Sequence, residues 1–427
     1  MERYNEYRDS NVQWIGEIPS HWEQRRVRYT GKSRNGLTYS PYDVSEDGQG
    51  ILVLRSSNIQ DGKLLLDDNV YVKKEISPEL MVKKGDILIC SRNGSRDLVG
   101  KLTMIDRDIN ASFGAFMMIY RTYMWAPFME KVLSVAIQSY KTLFSTSTIN
   151  QLTNDIFKDF VIPIPPLAEQ EMIVSYLDSK TSKIDVYVAD KEKEIQLLQE
   201  LKQKTIADAV TKGLNPNVKL KDGRTTFFGQ IPAHWEERKM KYCFTERSEK
   251  NHPDEPILCA TQSQGVIPQS MYQNRVVVVN KGFEGLKFVK VGDFVISLRS
   301  FEGGIEYAYY QGIISAAYTI LTPKDAVCAE YFKFLFKCYP FIQLLQTCVT
   351  GIREGQNINY QMLGRKYITL PSLDEQQAIV AYIEEKCQKI DTLTTELQAE
   401  IDYLKEYKQR LIADVVTGQV NVQNINI

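Results

Sequence analysis

The chain has 427 residues, 43% of them apolar and 25% charged, with a formal net charge of −1. That length accommodates two or three domains with cores of their own, and the composition reads as that of an ordinary soluble protein. No apolar run approaches the length needed to cross a bilayer, and the near-zero charge does not by itself announce a nucleic-acid partner.

The first ten residues, "MERYNEYRDS", are charged and carry no apolar core, so no signal peptide is expected. Residues 14–23 follow as "WIGEIPSHWE". In the body beyond them, "ILVLRSSNI", "DILICSR" and "FMMIYR" are short apolar runs bounded by turn residues, which predicts strands. "APFMEKVLSVAIQSYKTLF" has helical spacing. "PIPPLAEQ" then sets prolines before an acidic first turn, the signature of a helix start. A seam follows at Leu177, Thr181, Ile184, Val188, Lys191, Ile195, Leu198, Lys202, Thr205 and Ala209, in steps of four and three.

At 227–236 the chain begins again with "FFGQIPAHWE", which matches the first copy at six of ten positions. Its body holds predicted strands at "RVVVVN", "DFVISLRS" and "AAYTIL" and a helical stretch at "AEYFKFLFKCYPFIQLLQ". In both bodies a Gly-Asp pair is expected to turn the chain into a buried strand, in "KKGDILICSR" and "KVGDFVISLR". "LPSLDEQ" opens the second tail, with a stronger seam at Ile383, Cys387, Ile390, Thr394, Leu397, Ile401, Leu404, Lys408, Leu411 and Val415. The tails match best: 169–185 and 375–391 share nine of seventeen residues, and 202–211 and 408–417 share seven of ten. The chain is therefore one plan written twice, divided at 1–165, 166–212, 213–371 and 372–427 into body, helix, body, and helix with tail. Each tail helix spans roughly 65 Å at 1.5 Å per residue, and one apolar stripe of that length needs a packing partner. The two tails packing on each other is the economical solution, with a second chain as the alternative.

No P-loop, dinucleotide fingerprint, nucleophile elbow, zinc-protease motif or adenine-methylation motif is present. The seven cysteines are scattered without a CxxC pair, so reduced thiols in a cytoplasmic protein are expected, and no metal site. Acidic pairs such as Asp67/Asp68 and Asp106/Asp108 read as solvated turns. His21 and His234, each beside a Trp, read as a structural corner against the tail helix rather than as catalysts. Residues 213–371 carry 19 Lys/Arg against 14 Asp/Glu, which permits a basic surface. The bodies offer loops rich in Arg, Asn, Gln and Ser: Arg92, Asn93, Ser95, Arg96, Thr148 and Asn150 in the first, and Gln262, Gln264, Arg299, Arg353 and Asn357 in the second. Arg pairs bidentately with guanine and Asn or Gln with adenine, while hydroxyls and backbone N–H groups serve phosphates.

The doubled order of "IPxHW", body, "PxPPLxEQ", heptad helix and "IADAVTxG" resembles the specificity (S) subunit of type I restriction–modification systems over nearly the full chain. The second copy departs in "LPSLDEQ", with one proline fewer. The resemblance implies an α+β fold: two pseudo-repeated α/β target recognition domains joined by two long helices in an antiparallel coiled coil. Each domain would read one half of a bipartite site in double-stranded DNA. The coiled coil, with Leu177, Ile184, Val188, Ile195, Leu198, Ile383, Ile390, Leu397, Ile401, Leu404 and Leu411 in its seam, would set the spacing and hold the modification subunits. It further implies a non-catalytic chain without a cofactor. Two methyltransferase subunits would use S-adenosylmethionine, and restriction/translocase subunits would use ATP and Mg. A reading from another class is a coiled-coil scaffold whose two domains bind protein or another ligand. DNA binding that falls steeply with salt separates the two.

Overall fold

The computed structural model describes residues 2–143, 150–272, 282–298, 300–351, 357–423 and 425. The chain forms two compact units, Met1–Asp190 with Ala399–Ile427, and Lys191–Gln398. Both boundaries fall inside the long helices, so each unit owns half of each.

In the first unit, β1 (Glu23–Arg26) follows the His-Trp pair. The body contributes β2 (Gly31–Asn35), β3 (Ile51–Leu54), β4 (Val70–Val72), β5 (Ile87–Cys90), β6 (Leu102–Met104), β7 (Ala111–Phe113) and β8 (Met117–Thr122). Helix α1 (Ala126–Ser139) and β9 (Val161–Ile164) lead to the long helix α2 (Leu167–Lys212). The main sheet is antiparallel in the order β6-β5-β8-β2. A second sheet runs β7-β3-β4, and β1 pairs with β9. The predicted strand "ILVLRSSNI" stops at Leu54, because the Asn58 carboxamide accepts from the Arg55 N–H at 2.9 Å and bends the chain into a helical turn.

The second unit repeats this order. Strands β10 (Glu236–Lys239), β11 (Phe244–Arg247), β12 (Leu258–Thr261), β13 (Gly265–Pro268), β14 (Phe294–Ile296), β15 (Glu306–Tyr307) and β16 (Thr319–Pro323) precede α3 (Ala329–Leu335) and α4 (Tyr339–Gln346). Then come β17 (Tyr367–Leu370) and the long helix α5 (Leu373–Val416). The main sheet runs β15-β14-β16-β11, the counterpart of the first unit's order, and β10 pairs with β17 as β1 pairs with β9. The single predicted helix over 329–346 is two, because Pro340 has no N–H for a continuing turn and fits only the first turn of a new helix. "RVVVVN" lies outside the described residues.

The Gly-Asp turns lead into buried β5 and β14, as their spacing predicts. Asp86 accepts the Lys83 N–H and a bidentate Arg121 guanidinium at 2.7 and 2.6 Å. Asp293 accepts the Lys290 N–H, Arg247 Nε and Thr322 Oγ1. Each carboxylate is almost fully buried, so these contacts replace the water it has lost.

In each unit the helix halves pack antiparallel. In the first, Asp185 meets Lys408 at 2.5 Å and Tyr187 meets Glu400 at 3.0 Å, one number rising as the other falls. Leu177 and Leu411 share the core there with Val415, Val416, Val420 and Val422. In the second, Lys202 meets Asp391 at 2.6 Å, and Ala209 and Val210 share the core with Ile379, Ile383 and Cys387. These are the same two repeat positions with the roles exchanged. Every seam position from both copies is buried or half-buried. The seam lysines are ion-paired: Lys202 to Asp391, Lys408 to Asp185 and Lys191 to Glu194.

Candidate nucleic-acid interface

The doubled "HW" and "EQ" motifs meet. Glu169, in the first turn of α2 and 6% exposed, accepts from Trp22 Nε1 at 2.8 Å and the Tyr4 hydroxyl at 3.1 Å. His21 Nε2 lies 2.6 Å from its other oxygen. Glu375 takes Trp235 Nε1 at 2.9 Å and His234 Nε2 at 3.0 Å. The neighbouring Gln170 and Gln376 donate to the carbonyls of Pro165 and Pro371. Where the second copy lacks a proline, Ser372 Oγ takes the Glu375 N–H instead. Each motif thus clamps a body to the start of its helix, and the histidines sit in that clamp.

The sheet holds a loop at the end of β5. The Ser91 and Arg92 N–H groups both donate to the Phe116 carbonyl, at 3.0 and 3.1 Å. Arg92 forms a bridge with Gln151, which brings Asn150 alongside. The Arg92 guanidinium lies 5.3 Å from the centre of the Phe116 ring, and that ring is 59% exposed. Asn93 donates to Ser56 Oγ at 3.3 Å and accepts the Ser95 N–H at 3.0 Å, so part of its amide is spent on shaping the loop. Ser95 and Arg96 are exposed. Arg92 and Asn93 line a cleft of about 580 Å³ together with Tyr39, Arg55, Ser57 and Phe116. Arg55 pairs with Asp68 at 2.8 Å, while its Nε and the Ser57 hydroxyl have no hydrogen-bond partner among the described residues. Asp68 and Asp106 are thus spent on Arg55 and Arg107.

In the second unit, Gln262 and Gln264 are exposed at the tip of the β12–β13 hairpin. A helical turn, Ser300–Gly303, lies beside the strand Asn357–Ile358, which brings Asn357 to the same end. Tyr309, 45% exposed, donates its N–H to the Val266 carbonyl at the foot of that hairpin. Thr148, Arg299 and Arg353 lie outside the described residues. Sequence reasoning missed Arg55, Phe116 and Tyr309, which reach these loops from other segments.

Cys90, below the Arg92 loop, is a thiol at neutral pH because burial pushes it up to about 11. Among the described residues no group of His, Cys, Asp and Glu is set to hold a metal ion, and no helix is long and apolar enough to cross a membrane. Burial also pushes Glu306 up to about 7, against the pull of Lys337. The folded state therefore holds this proton more tightly than the unfolded one. Its stabilising contribution is present below the ordinary carboxylate range and is lost as pH rises through about 7. Urea midpoints measured from pH 5 to 8 should fall more steeply for the wild type than for Glu306→Gln; parallel curves would contradict this.

Residues 19–197 match the family model described as the type I restriction modification DNA specificity domain. The EcoKI specificity subunit of Escherichia coli (strain K12), a type I restriction enzyme component, is 22% identical over 426 residues, covering 96% of this chain and 91% of its own. The putative MjaX specificity subunit of Methanocaldococcus jannaschii is 26% identical over 438 residues, covering 96% of each. A chain from a solved type I R-M system superposes with a TM-score of 0.68 at 16% identity, covering 94% of this chain and 99% of that one. The HsdS subunit from Thermoanaerobacter tengcongensis gives 0.50 at 16% identity, covering 94% and 98%.

Proposed function

From the premise that this chain belongs to the specificity subunits of type I restriction–modification systems, we propose that it reads DNA sequence for a complex whose chemistry lies in other subunits. Its two bodies, 1–165 and 213–371, each read one half of a bipartite duplex site. The observation that carries this reading is the repeated frame with unlike loops. The same strand order, buried Asp and glutamate clamp recur in both units, while the side chains offered beside them differ. They are Arg92, Asn93 and Arg55 around Phe116 in one unit, and Gln262, Gln264 and Asn357 near Tyr309 in the other. A frame repeated for presentation and loops diverged for content are what two half-sites of different sequence require. The matched tails, with their recurring Lys–Asp pair, present like surfaces to two like methyltransferase subunits. Restriction/translocase subunits join that assembly in the cytoplasm. S-adenosylmethionine, ATP and Mg belong to those partners.

The test is the set of methylated adenines in cells carrying the complex with each variant. Arg92→Ala and Phe116→Ala should each cost about 1–3 kcal/mol of binding and relax the same half-site. A residue that meets phosphate instead should weaken all sequences alike and lower the salt slope by about one. Unchanged methylation with both variants would place the interface elsewhere. The purified chain alone should transfer no methyl group from S-adenosylmethionine and hydrolyse no ATP, and radiolabel incorporated into DNA by it would sink the division of labour.

A further inference from the structure

In the second unit one ammonium group holds two loops. Lys337 lies in the short link between α3 and α4, behind the candidate interface. Its Nζ donates to the Gly303 carbonyl at 2.8 Å, the Gln262 carbonyl at 3.2 Å and Glu306 Oε1 at 2.6 Å. An ammonium has three protons, and all three are used. Glu306 is 1% exposed, and its other oxygen has no hydrogen-bond partner among the described residues. The two loops touch: a side chain at Gly303 would place its Cβ 2.9 Å from Gln262 Cγ. Three acceptors therefore converge from a hairpin tip, a helical turn and a strand edge. Without a cation between them they repel one another, and the buried Glu306 carboxylate loses the donor it has at Lys337.

We propose that Lys337 is a positioning residue for sequence discrimination by the second unit: it fixes the Gln262–Gln264 hairpin against the 300–303 turn and so aims the side chains these segments offer to DNA. The inference rests on the reading of this chain as a DNA specificity subunit. Lys337 spends its charge on carbonyls and a carboxylate, so it adds to specificity without adding a phosphate contact. In the first unit the 91–97 loop hangs instead from the Phe116 carbonyl, through the Ser91 and Arg92 N–H groups.

The experiment measures binding of the complete complex to duplexes with single base changes in either half of its site, the site being read first from modified adenines in the host genome. Lys337→Met should lower discrimination in one half by roughly tenfold or more, the worth of a good base contact. The other half, and the slope of affinity against salt, should stay as in the wild type. Lys337→Arg should restore part of the loss, and Glu306→Gln should produce a milder loss in the same half. If the wild type discriminates in both halves and Lys337→Met does so equally well, the role of Lys337 is overturned while the recognition reading stands. If Lys337→Met instead unfolds the unit, Glu306→Gln decides, and full discrimination by that variant overturns the proposal. A wild-type complex with no sequence preference at all would remove the recognition reading itself and this inference with it.

Discussion

Trp22→Ala should cost the first unit about 3–5 kcal/mol, the range for deleting a large buried aromatic. Two losses combine there. The indole fills core beside Ile18, Tyr4 and the last turn of α5, and its Nε1–H is one of the donors that keep Glu169 satisfied away from water. Glu169→Gln keeps the volume and tests the second part alone. The carboxamide offers one acceptor and one donor where Trp22, Tyr4 and His21 meet two oxygens, so roughly 1.5–3 kcal/mol should go. Glu375 is more exposed and takes two partners, so Glu375→Gln should cost less. Hydrogen exchange resolves the effect by segment. Protection should fall in 2–26 and 160–177 for Trp22→Ala, and in 228–240 and 367–383 for Trp235→Ala. Uniform loss across both units from either variant would mean that the clamps are not local.

Arg121→Met should be of similar size, about 3–5 kcal/mol, because it leaves a buried carboxylate without its counter-charge. Asp86 is 1% exposed and receives both arms of that guanidinium. Arg121→Lys should recover little, since one ammonium cannot reproduce the fork. Arg247→Met should cost less in the second unit, where Asp293 keeps Thr322 and the Lys290 N–H. Asp86 sits at the foot of β5, and the 91–97 loop sits at its head. Chemical denaturation and methylation patterns should therefore change together for Arg121→Met. A destabilised variant that still marks the same first half-site at permissive temperature would separate frame from loop.

What could be read beforehand was whatever repeats with a short period or a fixed order. The seam from Ile383 to Val415 is legible because burial on a helix has a period that sequence carries directly. The Gly-Asp turns are legible because that pair has few backbone uses. The His-Trp corner could be placed against the tail helix, but the acceptor could not be named, because Glu169 is 147 residues from Trp22 and looks like any first-turn acid. Phe116 and Arg55 were out of reach for a related reason. Each belongs to a different segment from Arg92, and only sheet pairing brings the three together. The break before Tyr339 comes from Pro340. The cost of a proline falls inside a helix and vanishes in a first turn, and the periodicity on either side masks the difference. Lys337 lies in that break.

The division of the units has a consequence for how the protein is made. Residues 191–398 are one continuous stretch, so the second unit has all of its core once Gln398 has been added. The first unit does not: Leu411, Val415, Val416, Val420 and Val422 belong to its core. At roughly 5–20 residues per second, synthesis of 399–427 takes about 1.5–6 s more. During that interval the core of the first unit lacks these five residues. A message cut after residue 398 would yield a second unit with its whole core and a first unit with an open one, a product that quality-control proteases would meet as an exposed patch. The core residues before 190 thus wait on those at 411–422, and the first unit can close only on a chain translated past residue 422.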